Sequence, residues 1–130
     1  MKKILVLTIF LFLVSNVYSQ IRLNSSKWEI KKEFSDSKYS LKEMTIDDID
    51  AISIITERVN LLYMFDSEDI CKICLLVPDT QGDLNYYVEL YNSQYVIVSE
   101  TEWKMYNKNG IAKIELIFNN NKPSFKWTIN

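Results

Sequence analysis

The chain has 130 residues and 15.4 kDa, with 25% charged and 48% hydrophobic side chains, the size and balance of one globular domain rather than a disordered or fibrous chain. Fifteen basic residues stand against 17 acidic ones, a formal net charge of −2, so the cation excess that a nucleic-acid binder needs is missing. Histidine is absent, which removes His-based triads, Cys–His nucleophile pairs and nearly all zinc chemistry.

Residues 1–19 read as a secretory signal peptide. Lys2 and Lys3 form a cationic start, Ile4 to Val14 is an apolar run broken only by Thr8, and small Ser19 precedes Gln20. The run is too short to span a bilayer, which takes about 20 apolar residues, so no stable membrane insertion is expected after cleavage. With no cysteine before Cys71, a lipid anchor at the new N-terminus is not expected either. Cleavage removes two lysines and no acid, leaving 13 basic against 17 acidic side chains, a net charge of −4. The expectation is one exported globular domain, residues 20–130, periplasmic or extracellular.

Repeats and low-complexity tracts are absent from the sequence. Trp28 to Phe34 alternates with period two and predicts a first strand, Ser35-Asp36-Ser37 a turn, and Tyr39 to Met44 a returning strand. Thr45 stands three residues before Asp48, and Ile46, Ile49, Ile52, Ile55, Val59 and Leu62 follow at spacings of three and four. This stripe predicts a helix over 46–58, against the β-branched content of the same segment.

Val59–Phe65 and Cys71–Val77 are apolar on both faces, as strands are when covered from two sides, with Asp66–Asp69 as the turn between them and Pro78 as a stop. Leu84, Tyr87, Val88 and Tyr91 predict an amphipathic helix over 83–92. Beyond it, Tyr95, Ile97, Trp103 and Met105 alternate with polar residues, and Asn109-Gly110 is a favoured type I′ pair. Folding about that pair sets Met105 against Ile114, Trp103 against Leu116, Thr101 against Phe118 and Lys104 against Glu115. Phe125, Trp127 and Ile129 predict a last strand. The order β-β-α-β-β-α-β-β-β implies an α+β two-layer sandwich with a mostly antiparallel sheet and a C-terminal three-stranded meander. If residues 46–58 are extended, the alternative is an all-β barrel or calycin-like sheet.

No constellation commits to a reaction. Cys71-Lys72-Ile73-Cys74 has redox spacing, but it lies in a strand pattern after Glu68 and Asp69, and residues three apart on a regular strand point to opposite faces. Two buried, unbridged cysteines are expected. Ser35-Asp36-Ser37-Lys38 matches S-x-x-K without the companion elements of that chemistry. Acidic groups at Asp47-Asp48-Asp50, Asp66-Glu68-Asp69 and Asp79-Gly82-Asp83 lack calcium-loop spacing and sit where turns and helix starts favour Asp. Asn24-Ser25-Ser26 fits a glycosylation sequon.

Trp103, Phe118 and Trp127 belong to the predicted core, whereas Tyr86, Tyr95 and Tyr106 are candidates for the edge of a binding surface. The expectation is a small, non-catalytic, exported binding or interaction domain, with no cofactor or metal and no nucleic-acid partner. Its partner would be an unknown protein or a small apolar ligand. The alternatives are a carrier of such a ligand, or a hydrolase restricted to carboxylate, Ser and Lys chemistry.

Overall fold

A computed structural model describes residues 22–35, 39–107 and 110–129. The signal-like segment, Asp36 and Ser37 of the expected first turn, Lys38 of the S-x-x-K match and Asn109 lie outside them. The described elements run α1 (Lys27–Glu33), β1 (Ser40–Ile46), β2 (Ile49–Ile55), β3 (Val59–Phe65), β4 (Cys71–Pro78), α2 (Gln81–Gln94), β5 (Val96–Ser99), β6 (Glu102–Asn107), β7 (Gly110–Asn119) and β8 (Lys122–Ile129).

All eight strands join one antiparallel sheet in the order β1-β2-β3-β4-β8-β7-β6-β5. The sheet is open, with β1 and β5 at its edges, so it is not a closed barrel. A helix followed by four strands occurs twice, and the last strands of the two halves, β4 and β8, pair with each other. Both helices start with the same device. The Ser26 hydroxyl accepts from the Glu29 N–H at 3.1 Å, and the Thr80 hydroxyl accepts from the Asp83 N–H at 3.1 Å, in each case satisfying an otherwise orphan helix donor. The repetition is one of form, without a repeat in sequence.

Two elements differ from expectation. The segment expected as a first strand is α1, with Phe34 as its C-cap: Ile30 and Phe34, four apart, are buried together, while Trp28 is 67% exposed beneath the Lys32 ammonium, 5.0 Å from the ring centroid. Residues 46–58 hold β2 rather than a helix. Asp47 and Asp48 both have positive φ, as a type I′ turn requires, and the Ile46↔Ile49 pair closes around them. The isoleucine stripe thus crosses a strand, a turn and another strand, and its β-branched side chains fit the pleat.

The C-terminal hairpin keeps its expected faces but not its register. Trp103 pairs with Ile114, Met105 with Ala112 and Asn107 with Gly110. The pairing is therefore two residues off the one an Asn109-Gly110 turn would set, and Gly110, at φ 137°, opens β7. Because the pairing shifts by two residues, side chains stay on their expected sides. Lys104 faces Lys113 rather than Glu115, and Lys113 contacts Glu102 at 3.5 Å and Glu115 at 3.7 Å. Phe118, expected inside, pairs with Pro123 near the end of β7 and is 63% exposed. β5 adds a strand to the C-terminal run, making four in place of the three expected.

The core lies between the helices and one side of the sheet. In the first half it is mainly aliphatic, with Ile30, Ile52, Ile54, Leu61 and Leu76 around Tyr63 and Phe34. The second half is aromatic. The Tyr91 ring lies 5.0 Å from Phe125, 5.5 Å from Trp127 and 5.7 Å from Trp103 in edge-on geometry. The polar tips are satisfied: Trp127 Nε1 donates to the Tyr91 hydroxyl at 3.3 Å and Trp103 Nε1 to Asn92 Oδ1 at 2.8 Å.

Candidate functional site

Alternation along each strand fixes what the other side of the sheet displays. Opposite buried Leu61, Tyr63 and Phe65 stand Leu62 and Met64, and beside them on β4 stand Ile73, Leu75 and Val77, all half-buried. The register makes these a contiguous patch, with Leu62 against Leu75 and Met64 against Ile73. Ala51 joins it as the cross-strand neighbour of Met64. The sequence pattern led to the expectation of cover on both sides of β3 and β4. Among the described residues both helices lie on the other side.

Past β4 the same side is mixed, with charged pairs at its centre and Ile117, Tyr106 and Ile111 toward its ends. Lys126 pairs with Glu115, Thr128 with Lys113, Glu115 with Glu102 and Lys113 with Lys104. Both charge signs are present, so this half is neither a phosphate-binding cationic surface nor a single-sign field.

At one end of the patch the β1–β2 and β3–β4 turns form the rim of a groove of about 460 Å³. Ile49, Met64, Phe65 and Ile73 supply its apolar lining, and Asp48, Asp50, Asp66 and Asp69 with Lys72 its charged lining. Asp66 builds part of this rim. Its Oδ1 accepts from the N–H groups of Ile70 at 3.0 Å and Glu68 at 2.9 Å, and these bonds, that of Ile70 first, hold its carboxyl below the usual range. Acidic groups separate in sequence thus meet in space, although no group of three or more Cys, Asp or Glu among the described residues is arranged to hold a metal ion.

The two cysteines are both buried and unbridged. A bulge opposite Met64 and Phe65 shifts the register so that Phe65 pairs with Cys71 while Met64 pairs with Ile73. This turns Cys71 to the same inner side as Cys74, against the opposite-face geometry expected of a regular strand. Burial pushes the Cys71 thiol up to about 12 and that of Cys74 well above its ordinary value, which disfavours thiolate chemistry at either.

The three tyrosines do not gather. Tyr86 is exposed on α2 with the Arg58 guanidinium 5.1 Å from its ring, and Tyr106 is exposed on β6, on the side away from the helices. Tyr95, at the end of α2, packs edge-on against Trp127 at 5.5 Å. Of the sequon, Asn24 is exposed with Oδ1 accepting from Lys72, while Ser26 caps α1. The patch on β3 and β4 escaped the sequence reading because periodicity reveals apolar faces without saying which of them a helix will cover.

Compared with known proteins, the chain matches no family model, no curated protein and no solved structure.

Proposed function

We propose that this chain is a small exported binding domain with no catalytic step of its own, and that it holds a segment of a partner protein on the helix-free side of β2–β4. The fold in this reading is a two-layer α+β sandwich, in which the helices close one side of the sheet and the partner closes part of the other. One observation carries the reading: Leu62, Met64, Ile73, Leu75 and Val77 form a contiguous apolar patch on a sheet face that carries neither helix. The chemistry of the occupant follows from the groove at its end. An apolar floor under a rim with more carboxylates than cations suits a segment in which apolar side chains adjoin a lysine or arginine. A partner protein is favoured over a small apolar ligand between sheet and helices, because Tyr91, Trp103, Phe125 and Trp127 already fill that space.

Selection from a displayed random-peptide library against the purified chain tests this. The expected binders join two or more apolar residues to a basic one. Leu62→Glu with Leu75→Glu abolishes their binding, and Asp48→Asn with Asp69→Asn weakens it, while Tyr86→Ala on the helix side leaves it unchanged. Binders indifferent to the Leu62/Leu75 pair refute the site. Export is tested separately by intact mass from the native host. A chain beginning at or near Gln20 is expected, and a full-length chain in the membrane fraction would refute cleavage.

A further inference from the structure

Besides Met1 the sequence holds three methionines, and the sheet divides them unequally. Met105, paired with buried Ala112, packs against the core on the helix side. Met44 on β1 and Met64 on β3 stand on the helix-free side, as the two cross-strand partners of Ala51 on β2. Ala51 is fully buried, although neither helix lies on that side, so its cover comes from neighbours in the sheet. Unbranched methionine side chains on either side of an alanine supply such cover, because they bend into gaps that stiffer side chains leave open. Both methionines are only half-buried, and Met64 also lines the groove between the β1–β2 and β3–β4 turns. A small solute therefore reaches them from the open side of the sheet.

We propose that Met44 and Met64 are a modification site whose oxidation closes the docking patch, an inference that rests on the binding role proposed for that patch. Hydrogen peroxide, or another two-electron oxygen donor met outside the cytoplasm, transfers one oxygen atom to a thioether. The sulfur lone pair forms the S–O bond, the O–O bond of the peroxide breaks and water leaves, so the product is methionine sulfoxide. The sulfoxide oxygen is a strong hydrogen-bond acceptor. A partner segment seated on the patch buries it among Ala51, Leu62 and Ile73, none of which has a side-chain donor. One such unpaired polar group weakens binding by about tenfold or more. The core lies on the other side of the sheet and keeps its packing. Methionine sulfoxide reductases reverse the change, so the patch reopens.

Purified chain is treated with hydrogen peroxide and mapped by peptide mass spectrometry over time, with circular dichroism and melting temperature followed in the same samples. Met64 and Met44 are expected to gain oxygen before Met105, with the fold retained. Fluorescence anisotropy then reads binding of a labelled peptide selected from the displayed library against untreated chain. Its affinity falls by about tenfold or more on oxidation and returns after treatment with sulfoxide reductases and a dithiol. Met44→Leu with Met64→Leu, a volume-conserving pair, binds the peptide before and after peroxide, whereas Met105→Leu loses binding as the unaltered chain does. Oxidation of Met105 ahead of the other two overturns the proposal. So does binding that survives both sulfoxides, or a loss of binding that tracks unfolding, and in these cases the binding role of the patch still stands. A library that yields no binder of untreated chain overturns the binding role itself, and the switch with it.

Discussion

Replacing Trp103 by Ala is the most direct test of which side of β6 faces the core. Trp103 is fully buried, its ring lies 5.7 Å from Tyr91 and 5.9 Å from Phe125, and its indole N–H is held by Asn92. Truncation removes the largest kind of side chain from the aromatic half of the core and leaves a cavity beside rings that cannot easily collapse into it. Buried aromatic-to-Ala changes cost about 3–5 kcal/mol, a large share of the roughly 5–15 kcal/mol that holds a domain together. Glu102, the preceding residue, is partly exposed and loses only its 3.5 Å contact with Lys113. Its replacement by Ala should cost no more than about 0.5 kcal/mol. Urea unfolding of both variants at pH 7 reads the difference from midpoint and slope. Equal, small losses at 102 and 103 would mean that the sheet presents its other side to the helices. The core and the apolar patch of the other side would then exchange places.

Cross-strand cysteines settle the hairpin register. Lys104→Cys with Lys113→Cys, which are direct partners, should oxidise readily, whereas Lys104→Cys with Glu115→Cys should not, as mass spectrometry under mild oxidant will show. Native Cys71 and Cys74 should resist a thiol reagent at pH 8 and react only after unfolding. Their folded pKa values exceed the unfolded value of about 8.5. Their contribution to stability is thus full below about pH 8.5 and is lost as pH rises toward the folded value of about 12 for Cys71 and higher for Cys74. Denaturation midpoints should fall over that window, and fall less in a Cys71→Ala/Cys74→Ala chain. Asp47→Asn with Asp48→Gly should stabilise by about 0.5–1 kcal/mol, because both positions have positive φ, and thermal unfolding measures it. A loss there would mean that the Asp side chains do more than fill the turn.

Much of this fold is legible where two independent signals agree. β3, β4 and α2 have strong periodicity bounded by turn or capping residues, and they stand where the pattern places them. The inward set Trp103, Ile114, Phe125 and Trp127 is also legible, since strand alternation survives a register shift of two. The failures have a common cause. In Trp28–Phe34 the pair Ile30/Phe34 satisfies a helical period as well as alternation, and Ser26 with Glu29, which breaks the tie, lies just before and within that window. In Ile46–Val59 a helical spacing arises by accident across a two-residue turn, and the β-branched residues carry the truer signal. The Asn120-Asn121 turn, with φ of 53° and 65°, is a reminder that paired asparagines serve a tight hairpin without glycine.

The candidate site was harder to read because it depends on a difference between two apolar faces rather than on either one. Leu61, Tyr63 and Phe65 alternate with Leu62 and Met64, and nothing in their order says which set the helices will take. Chain connection decides it. α1 is tied to the start of β4 by the Lys27 N–H to Asp69 carbonyl bond at 2.8 Å, and α2 follows directly from the end of β4, which puts both on one side. Helices on one side leave the apolar partners of the other side with only their sheet neighbours. Leu62, Met64, Ile73, Leu75 and Val77 are consequently half-buried by one another, with part of each side chain left open. In the proposed function a partner segment would complete the cover that the sheet neighbours begin.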